Sequence, residues 1–422
     1  MRIPELLAPA GSMDALRAAL HFGADAVYGG MKRFGLRAFA GNFDPEELKT
    51  AVETTHRAGK KFYVTMNIYP FDDELEDFAS AARLAAGIGV DAAIVADPGA
   101  VVFLRREVPE LPIHVSTQAN TVNAPAAELY RSLGCERVIL AREMSLERIR
   151  RLREAVGEDI QLETFVHGAS CMAYSGRCLL SAYLTGRSGN RGECAQPCRW
   201  HYAVMEEKRP GVYLPVAEDE RGTYLFSAGD LCLMPLLPEL CATGVASLKI
   251  EGRMKTEYYV GVVTGAYRRA LDLLAEEGKE GFDAALSGLM EELQCASHRR
   301  SDTGFLRGDP EMPGEAEGFY QQREYVARVL EECPEGGQVR MLLKNRFFAG
   351  DELELMTASG VRKVKAVPFL REKTGETLDT LGIAGEIIRM AIPGALAGDM
   401  LRGPVRNHRT ENGSTAGAKN QP

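Results

Sequence analysis

Short apolar runs alternate with amphipathic stretches over the first 290 residues of the chain. The amphipathic stretches have helical spacing and predict helices at residues 13–22, 45–58, 73–86, 98–106, 124–133, 146–155 and 258–275. The apolar runs predict eight strands, at residues 5–8, 26–28, 62–67, 92–96, 113–117, 137–141, 161–166 and 246–250. This order is typical of parallel βα units. Eight such units predict a closed (β/α)8 TIM-like barrel over residues 1–290, with an open doubly wound sheet as the alternative.

Two predicted helices begin with capping signals. Asp44 precedes Pro45 and two glutamates, and Ser145 precedes Leu146 and Glu147. An oxygen-bearing cap followed by proline or acidic residues satisfies the free N–H groups of a first turn. Both helix starts are therefore expected at these residues.

One connection is much longer than a crossover requires. It spans residues 168–245, between the seventh and eighth predicted strands, and it contains six of the nine cysteines. Long insertions without a regular pattern are usually functional. Because this one follows the carboxyl end of a strand, we expect it on the face where barrel enzymes carry their chemistry.

The pattern changes after the barrel. Residues 291–319 are rich in proline, glycine and glutamate toward their end and predict a linker. Runs at 325–330, 338–343 and 361–367 predict strands, so residues 320–405 are expected to form a small C-terminal β-barrel module. The polar tail, residues 406–422, has the composition of a disordered segment.

Composition narrows the possible compartments and partners. The chain is 45% hydrophobic and 26% charged, with a net charge of −9. Indiscriminate binding to nucleic acid or membranes is therefore not expected, although a local basic patch would still permit specific RNA binding. No segment resembles a signal peptide or a membrane span, so we expect a cytoplasmic, reducing environment. Four isolated cysteines are interpreted as packed thiols: Cys135, Cys241, Cys295 and Cys333.

The remaining cysteines indicate a bound cofactor. Cys171 and Cys178 are followed by Cys194 after a glycine-rich turn, and Cys232 comes from a more distant segment. Thiolates are ligands of iron–sulfur clusters and of structural zinc. Zinc sites usually show Cys-x-x-Cys pairs, which this chain lacks; Cys194 and Cys198 are one residue too far apart. Spacing thus favours a cluster over zinc or no metal, without excluding either.

Polar residues fall where barrel interiors normally hold aliphatic side chains. They lie at or just beyond the predicted carboxyl ends of strands, where they form either buried networks or a substrate site: Asn67, Ser116, Gln118, Glu143, Glu163, His167 and Lys249. We expect His167 and Lys249 to face the barrel mouth. Lys249 and Arg253 either hold a carboxylate or phosphate or pair with Glu251.

Several catalytic motifs are absent from the sequence. It contains no His-Glu-x-x-His, Gly-x-Ser-x-Gly, Walker loop or dinucleotide Gly-x-Gly-x-x-Gly. Standard metalloprotease, serine hydrolase, NTPase and NAD-binding interpretations therefore have no motif to support them.

Six segments resemble peptidase family U32. They are residues 5–11, 163–171, 175–181, 191–200, 247–253 and 297–305, and the resemblance covers the chain up to its polar tail. The 191–200 segment and the β module favour the branch whose members hydroxylate uridine in tRNA. The resemblance implies a [4Fe–4S] cluster on Cys171, Cys178, Cys194 and Cys232, with Cys198 as the alternative third ligand.

The same resemblance implies a function. This is oxygen-independent 5-hydroxylation of the wobble uridine, with prephenate as co-substrate and tRNA as partner. The carboxylates of prephenate would be held by Lys249, Arg253 or Arg142. His167, Lys249, Glu163 and Arg253 are the candidate catalytic residues.

Two other functions remain open on the sequence alone. The family label implies a collagenase-like peptidase, although no nucleophile–base pair or catalytic zinc motif is recognisable. A non-catalytic cluster- or RNA-binding scaffold, acting with an electron donor or a homologous U32 partner, is the second. Whether the protein is a tRNA hydroxylase or an RNA-binding scaffold, we expect basic residues of the β module to contact tRNA: Lys344, Arg346, Arg362, Lys363, Lys365 and Arg371. The alternative for these residues is a solvated face that only caps the barrel.

Overall fold

The computed structural model describes residues 2–35, 41–171, 173–175, 177–200, 204–205, 213–214, 218–219, 222–223, 229–308, 319–332 and 337–406. The chain divides into two compact units. The first comprises residues 1–320 with 358–360, and the second comprises residues 321–357 with 361–422.

The first unit is built on a closed parallel barrel. Its strands are β1 (Glu5–Pro9), β2 (Ala26–Gly30), β3 (Lys61–Met66), β4 (Ala92–Val95), β5 (Ile113–Val115), β6 (Arg137–Ile139), β7 (Gln161–Ala169), β8 (Val204–Met205), β9 (Tyr213–Leu214), β10 (Glu218–Asp219), β11 (Gly222–Thr223), β12 (Asp230–Cys232), β13 (Ser247–Ile250) and β14 (Ser301–Asp302). Strands β1 to β7 pair in order and in parallel, and β13 pairs in parallel with both β1 and β7. The predicted closed (β/α)8 barrel is confirmed, and the open sheet is excluded.

The helices of this unit mostly follow the predicted pattern. They are α1 (Met13–His21), α2 (Pro45–Arg57), α3 (Leu75–Ile88), α4 (Pro98–Glu107), α5 (Ala124–Ser132), α6 (Leu146–Val156), α7 (Leu180–Thr185), α8 (Leu237–Ala242), α9 (Glu257–Glu276) and α10 (Gly278–Leu293). Both predicted caps are confirmed: the Asp44 side chain accepts from the Glu47 N–H at 2.9 Å, and Ser145 accepts from the Arg148 N–H at 3.3 Å. Helices α7, α8 and α10 were not predicted.

Part of the insertion returns to the sheet. Strand β7 continues to Ala169, beyond its predicted end at residue 166, and β12 pairs with this extension in antiparallel orientation. Strand β14 then pairs with β12. The Asp230 carboxylate fixes this addition, because it accepts from the Arg299 backbone N–H at 3.1 Å and from Arg299 Nη2 at 2.6 Å. Residues 299–302, predicted to lie in a linker, therefore belong to the barrel unit.

The second unit is an antiparallel β domain, as predicted. Its strands are β15 (Arg323–Glu332), β16 (Gln338–Leu343), β17 (Phe347–Phe348), β18 (Glu352–Thr357), β19 (Gly360–Lys365), β20 (Phe369–Arg371), β21 (Glu376–Leu378), β22 (Thr380–Leu381), β23 (Ile387–Ala391) and β24 (Met400–Pro404). Eight of them form one sheet in the order β19-β18-β24-β15-β16-β23-β20-β21. Alternating apolar side chains such as Met341, Leu355 and Ile388 fill its core.

Some predictions fall outside the described residues. These are the proline- and glycine-rich part of the linker at 309–318, the tail at 407–422, and Cys333. Among the helices that the structure does describe, none is long and apolar enough to cross a membrane.

Candidate active site

A pocket of about 460 Å³ opens at the carboxyl ends of the barrel strands. Tyr28, Thr65 and Phe165 contribute to its lining from inside the barrel, and Phe319 lies along it as well. Two groups of chemically active side chains share the lining: four cysteines, and a set of charged residues at its β7–β13 side. The pocket therefore lies on the face expected for barrel enzymes.

A buried charge cluster lies in the barrel interior next to the pocket. The Arg137 guanidinium is 2.6 Å from Glu5 Oε1 and 3.0 Å from Glu163 Oε2. On its other side, Glu163 Oε1 is 3.2 Å from Lys249 Nζ. The Tyr63 hydroxyl also donates to Glu5, at 2.9 Å. The predicted polar interior is thus a paired network that ends at Lys249, a pocket-lining residue.

Burial and ion pairing shift the pKa values of Glu163 and Lys249 in opposite directions. Burial alone would raise the pKa of Glu163, but Lys249 and Arg137 hold that pKa below its ordinary value. Burial lowers the pKa of Lys249, and Glu163 offsets part of that effect. The Lys249 ammonium also lies 4.2 Å from the centre of the Tyr28 ring, an arrangement that favours a cation. The floor of the pocket is therefore suited to an anionic ligand.

The loop after β13 adds a second cation. Arg253 is buried, and its Nη1 donates to Thr65 Oγ1 at 2.7 Å. This loop lies directly against the segment after β1, where a Cβ on Gly11 would come within 2.8 Å of the Arg253 carbonyl carbon. Glycine at position 11 is therefore required for the loop to approach so closely.

Arg142, from the connection after β6, supplies a third cation. Its Nη1 donates to the Ala169 carbonyl at 2.7 Å, and its guanidinium lies 3.9 Å from the centre of the Phe165 ring. Glu251 approaches Arg142 Nη2 at 3.9 Å. Arg142 is thus one partner of Glu251, and three cations, Arg142, Lys249 and Arg253, line the pocket.

Neutral polar groups lie at the ends of β3 and β5. Asn67 Nδ2 donates to Gln118 Oε1 at 2.8 Å and approaches Ser116 Oγ at 3.4 Å. The Tyr69 hydroxyl donates to the Gln118 carbonyl at 2.6 Å. These three predicted strand-end residues line the pocket, whereas Glu143 is not among its described lining residues. Burial raises the pKa of Glu143.

Four cysteines lie around the pocket: Cys171, Cys178, Cys194 and Cys198. Backbone N–H groups point at two of the sulfurs, from Leu180 to Cys178 Sγ and from Gln196 to Cys194 Sγ, each at 3.4 Å. Gly189 lies between these cysteines, because a Cβ there would be 3.7 Å from Cys178 O and from Cys194 Cβ. N–H donors to sulfur are one of the features that tune protein iron–sulfur clusters.

The four thiols that line the pocket are chemically suitable ligands for an iron–sulfur cluster. Four thiols share one pocket, and two of them receive N–H donors. As these side chains stand, no three His, Cys, Asp or Glu groups of the described residues converge to coordinating distance. Closing the loop around a cluster therefore requires the cysteine side chains to turn inward.

Cys232 and His167 lie elsewhere, which differs from the sequence-based expectation. The two residues are opposite each other on β12 and β7, and neither is a described lining residue of the pocket. Strand β7 contains one extra residue, because Phe165 pairs with Lys249 but His167 pairs with Ile250. This bulge turns His167 toward α9, where its ring lies 5.6 Å from that of Tyr267. The Tyr267 hydroxyl donates to the Val166 carbonyl at 2.8 Å.

The cysteine loop, residues 171–200, is attached to the connection after β3. Arg191 forms a two-point ion pair with Glu74 and lies 5.5 Å from the centre of the Phe71 ring. Arg177 lies similarly over Tyr69, at 5.6 Å. Sequence reasoning missed these contacts, since the partners are about one hundred residues apart along the chain. The one sequence signal that included Arg191 was the resemblance of residues 191–200 to peptidase family U32.

Comparison with known proteins places this architecture in a family. Residues 11–315 match the model of peptidase family U32. The chain is 38% identical to tRNA hydroxylation protein P of Escherichia coli over 85% of this chain and 87% of that protein. It is 35% identical to the Haemophilus influenzae protein of that name, over 92% of this chain and 93% of the other. It is also 35% identical to tRNA hydroxylation protein P1 of Bacillus subtilis, over 92% of each chain. This chain therefore belongs to peptidase family U32.

Proposed function

We propose that this protein is an iron–sulfur enzyme that supports oxygen-independent, prephenate-dependent 5-hydroxylation of the wobble uridine in tRNA. Relatives that align over most of its length are tRNA hydroxylation proteins. The observation that carries the proposal is the shared pocket, in which four thiols and three cations line one cavity. A cytoplasmic location follows from a tRNA substrate.

Cys171, Cys178, Cys194 and Cys198 would hold a [4Fe–4S] cluster. This set differs from the sequence-based one, because Cys198 lines the pocket and Cys232 is buried beside α9. When bound, such a cluster supplies electron transfer or an open iron site at the pocket. The electron donor would be a separate protein, or a homologous U32 partner.

Arg142, Lys249 and Arg253 would hold the two carboxylates of prephenate. Guanidinium and ammonium groups bind carboxylates through charge-assisted hydrogen bonds. Glu163 touches Lys249 and Arg137 rather than lining the pocket, so its role is to position Lys249 and keep it charged. His167 would act on stability, not on substrate, because it is packed against α9.

The β module remains a proposed tRNA contact. Arg362, Lys363 and Lys365 lie exposed along β19, which suits phosphate contacts. Arg371 is a weaker candidate, since its Nη2 is 2.7 Å from Glu386 Oε1.

The peptidase activity named by the family label has less support. Within the part of the chain that the structure describes, the pocket lining includes four thiols but no histidine. A cysteine nucleophile there would have no imidazole base beside it.

The decisive experiment measures tRNA nucleosides by mass spectrometry in a strain that lacks this gene and its paralogues. Loss of 5-hydroxyuridine, and its return with the wild-type gene, is expected. Unchanged 5-hydroxyuridine in the deletion strain would overturn the function.

The ligand set is tested on anaerobically purified protein, which should carry about four irons per chain. Cys198→Ser should lose the iron, while Cys232→Ser, a change of the same size outside the pocket, should keep it. The opposite result would restore Cys232 to the ligand set. One zinc per chain in place of iron would reject the cluster.

A further inference from the structure

The cysteine loop has a charge opposite to that of the whole chain. Residues 171–200 contain four arginines and one glutamate, whereas the chain carries a net charge of −9. The exposed members include Arg177 and Arg187. A local excess of arginine on an acidic protein is the electrostatic pattern of a specific site for a polyanion.

The same loop exposes large apolar side chains. Tyr183 is 87% exposed and Leu179 is 69% exposed. Tyr174, Leu184 and Trp200 are each more than 40% exposed. Clustered exposure of this kind marks an interaction surface on a folded protein.

These side chains are exposed because the opposite face of α7, which carries Ser181, packs against the rest of the loop. Ser181 is buried, and its Oγ accepts from the Ala195 N–H at 3.0 Å. Helix α7 also packs against the turn at residues 197–199. With Ser181 directed inward, Tyr183 and Leu184 point to solvent.

This surface adjoins the pocket. Helix α7 begins two residues after Cys178, which lines the pocket. Two more exposed apolar residues, Met254 and Phe319, belong to the pocket lining, and Lys255 lies 5.4 Å from the centre of the Phe319 ring. Aromatic and cationic side chains thus continue from the loop into the cavity.

We infer that Tyr174, Leu179, Tyr183, Leu184 and Trp200 form a stacking surface that binds unpaired bases of a single-stranded RNA loop, with Arg177 and Arg187 contacting its phosphates. The inference rests on the proposed function and names the surface that presents the nucleotide to the pocket. Sequence-specific RNA recognition uses unpaired bases stacked on aromatic rings beside arginines. A base inside a duplex could not enter a cavity in the barrel mouth.

The charge favours RNA over a protein partner. Aromatic rings and arginine occur in protein interfaces as well, but this loop carries four arginines against a single glutamate, an excess of positive charge that a polyanion neutralises. Positive charge beside exposed rings is the composition of single-strand binding sites.

The test measures binding of an anticodon stem–loop and of full-length tRNA to anaerobically purified, iron-loaded protein by fluorescence anisotropy. Tyr183→Ala should raise Kd about 5- to 100-fold, while Tyr183→Phe should stay within about 2-fold of wild type, because stacking needs the ring and not the hydroxyl. Tyr174→Ala provides a second variant in the same loop. Arg187→Gln should reduce the salt dependence of binding by about one phosphate contact.

The matched control is Leu129→Ala, which removes a side chain that is 54% exposed on α5, outside the loop. It should bind like wild type. Iron content measured in parallel confirms that each variant keeps its loop.

The possible failures are distinguishable. If Tyr183→Ala and Tyr174→Ala bind both RNAs like wild type, the stacking surface is refuted, whatever the level of hydroxylation in cells. If the deletion strain retains 5-hydroxyuridine and wild-type protein binds neither RNA, the proposed function fails as well.

Discussion

Replacing Gly11 with alanine tests whether the Arg253 loop must lie tightly against the barrel for the pocket to work. A Cβ at this position would lie 2.8 Å from the Arg253 carbonyl carbon and closer still to its oxygen. Non-bonded carbons pack at about 3.5 Å, so relieving the 2.8 Å approach moves the Arg253 backbone by about 0.7 Å or more.

That movement displaces a group proposed to hold substrate. Arg253 Nη1 donates to Thr65 Oγ1 at 2.7 Å, and this bond cannot keep its length if the backbone shifts while the side chain stays extended. A misplacement of about 1 Å costs up to about 100-fold in rate. We therefore expect Gly11→Ala to lower the initial rate of 5-hydroxyuridine formation about 10- to 100-fold. Overpacking should also reduce the free energy of unfolding by about 1–3 kcal/mol.

The assay follows 5-hydroxyuridine by mass spectrometry after induction of each variant in the deletion strain, at matched protein levels. The control is Gly288→Ala in α10, where an added Cβ meets no atom within 4 Å. It should retain the wild-type rate. A Gly11→Ala protein that hydroxylates as fast as the control would refute the role assigned to the Arg253 loop.

Three further perturbations address ionisable groups of the barrel unit. Glu163→Gln removes the carboxylate nearest to the buried Lys249 ammonium, so the free energy of unfolding in urea should fall by about 3 kcal/mol. A loss under about 1 kcal/mol would contradict the pairing. Burial lowers the pKa of His167 to about 4, below its unfolded value of about 6.5. Stability present above pH 6.5 is therefore lost as the pH falls toward 4, by about 3 kcal/mol, and His167→Phe should remove that loss; parallel pH profiles for variant and wild type would disprove it. Arg191→Gln breaks the ion pair with Glu74 and should lower iron content per chain, unlike Arg187→Gln; equal iron in both would show that this attachment does not position the cysteines.

Local signals account for most of the barrel. Apolar runs and caps such as Asp44 located the strands and helices, because all the signals that define one βα unit lie within about thirty consecutive residues. The pocket face followed from the same logic, since residues after parallel strands share one edge. Asn67, Ser116, Gln118, Lys249 and Arg253 were found in this way and do line the pocket.

The orientation of His167 could not be read from the sequence. Regular alternation from Glu163 through Phe165 predicts an inward side chain at position 167. The extra residue in β7 reverses that prediction, and it exists because β7 pairs with β13 on one side and with β12 on the other. Such a bulge depends on partners that the local pattern does not contain. The same pairing carries Cys232 to the α9 side, so counting cysteines within the insertion could not identify which four share a pocket.

The buried charges of the barrel interior make sense only together with the pocket. Removing Arg137, Glu163 and Lys249 from water costs more than aliphatic side chains would, and pairing only offsets that cost. Glu5 and Arg137 lie toward the amino ends of their strands, while Lys249 lies at the end that reaches the cavity. The network thus extends through the barrel and ends in a cation on the pocket floor, held charged by Glu163 against the lowering of its pKa by burial. If the network served stability alone, Glu163→Gln combined with Lys249→Met would match or exceed the wild-type stability and keep prephenate binding. If it serves the pocket, that double variant should fold well and lose prephenate binding, measured by calorimetry, which separates the two roles in one protein.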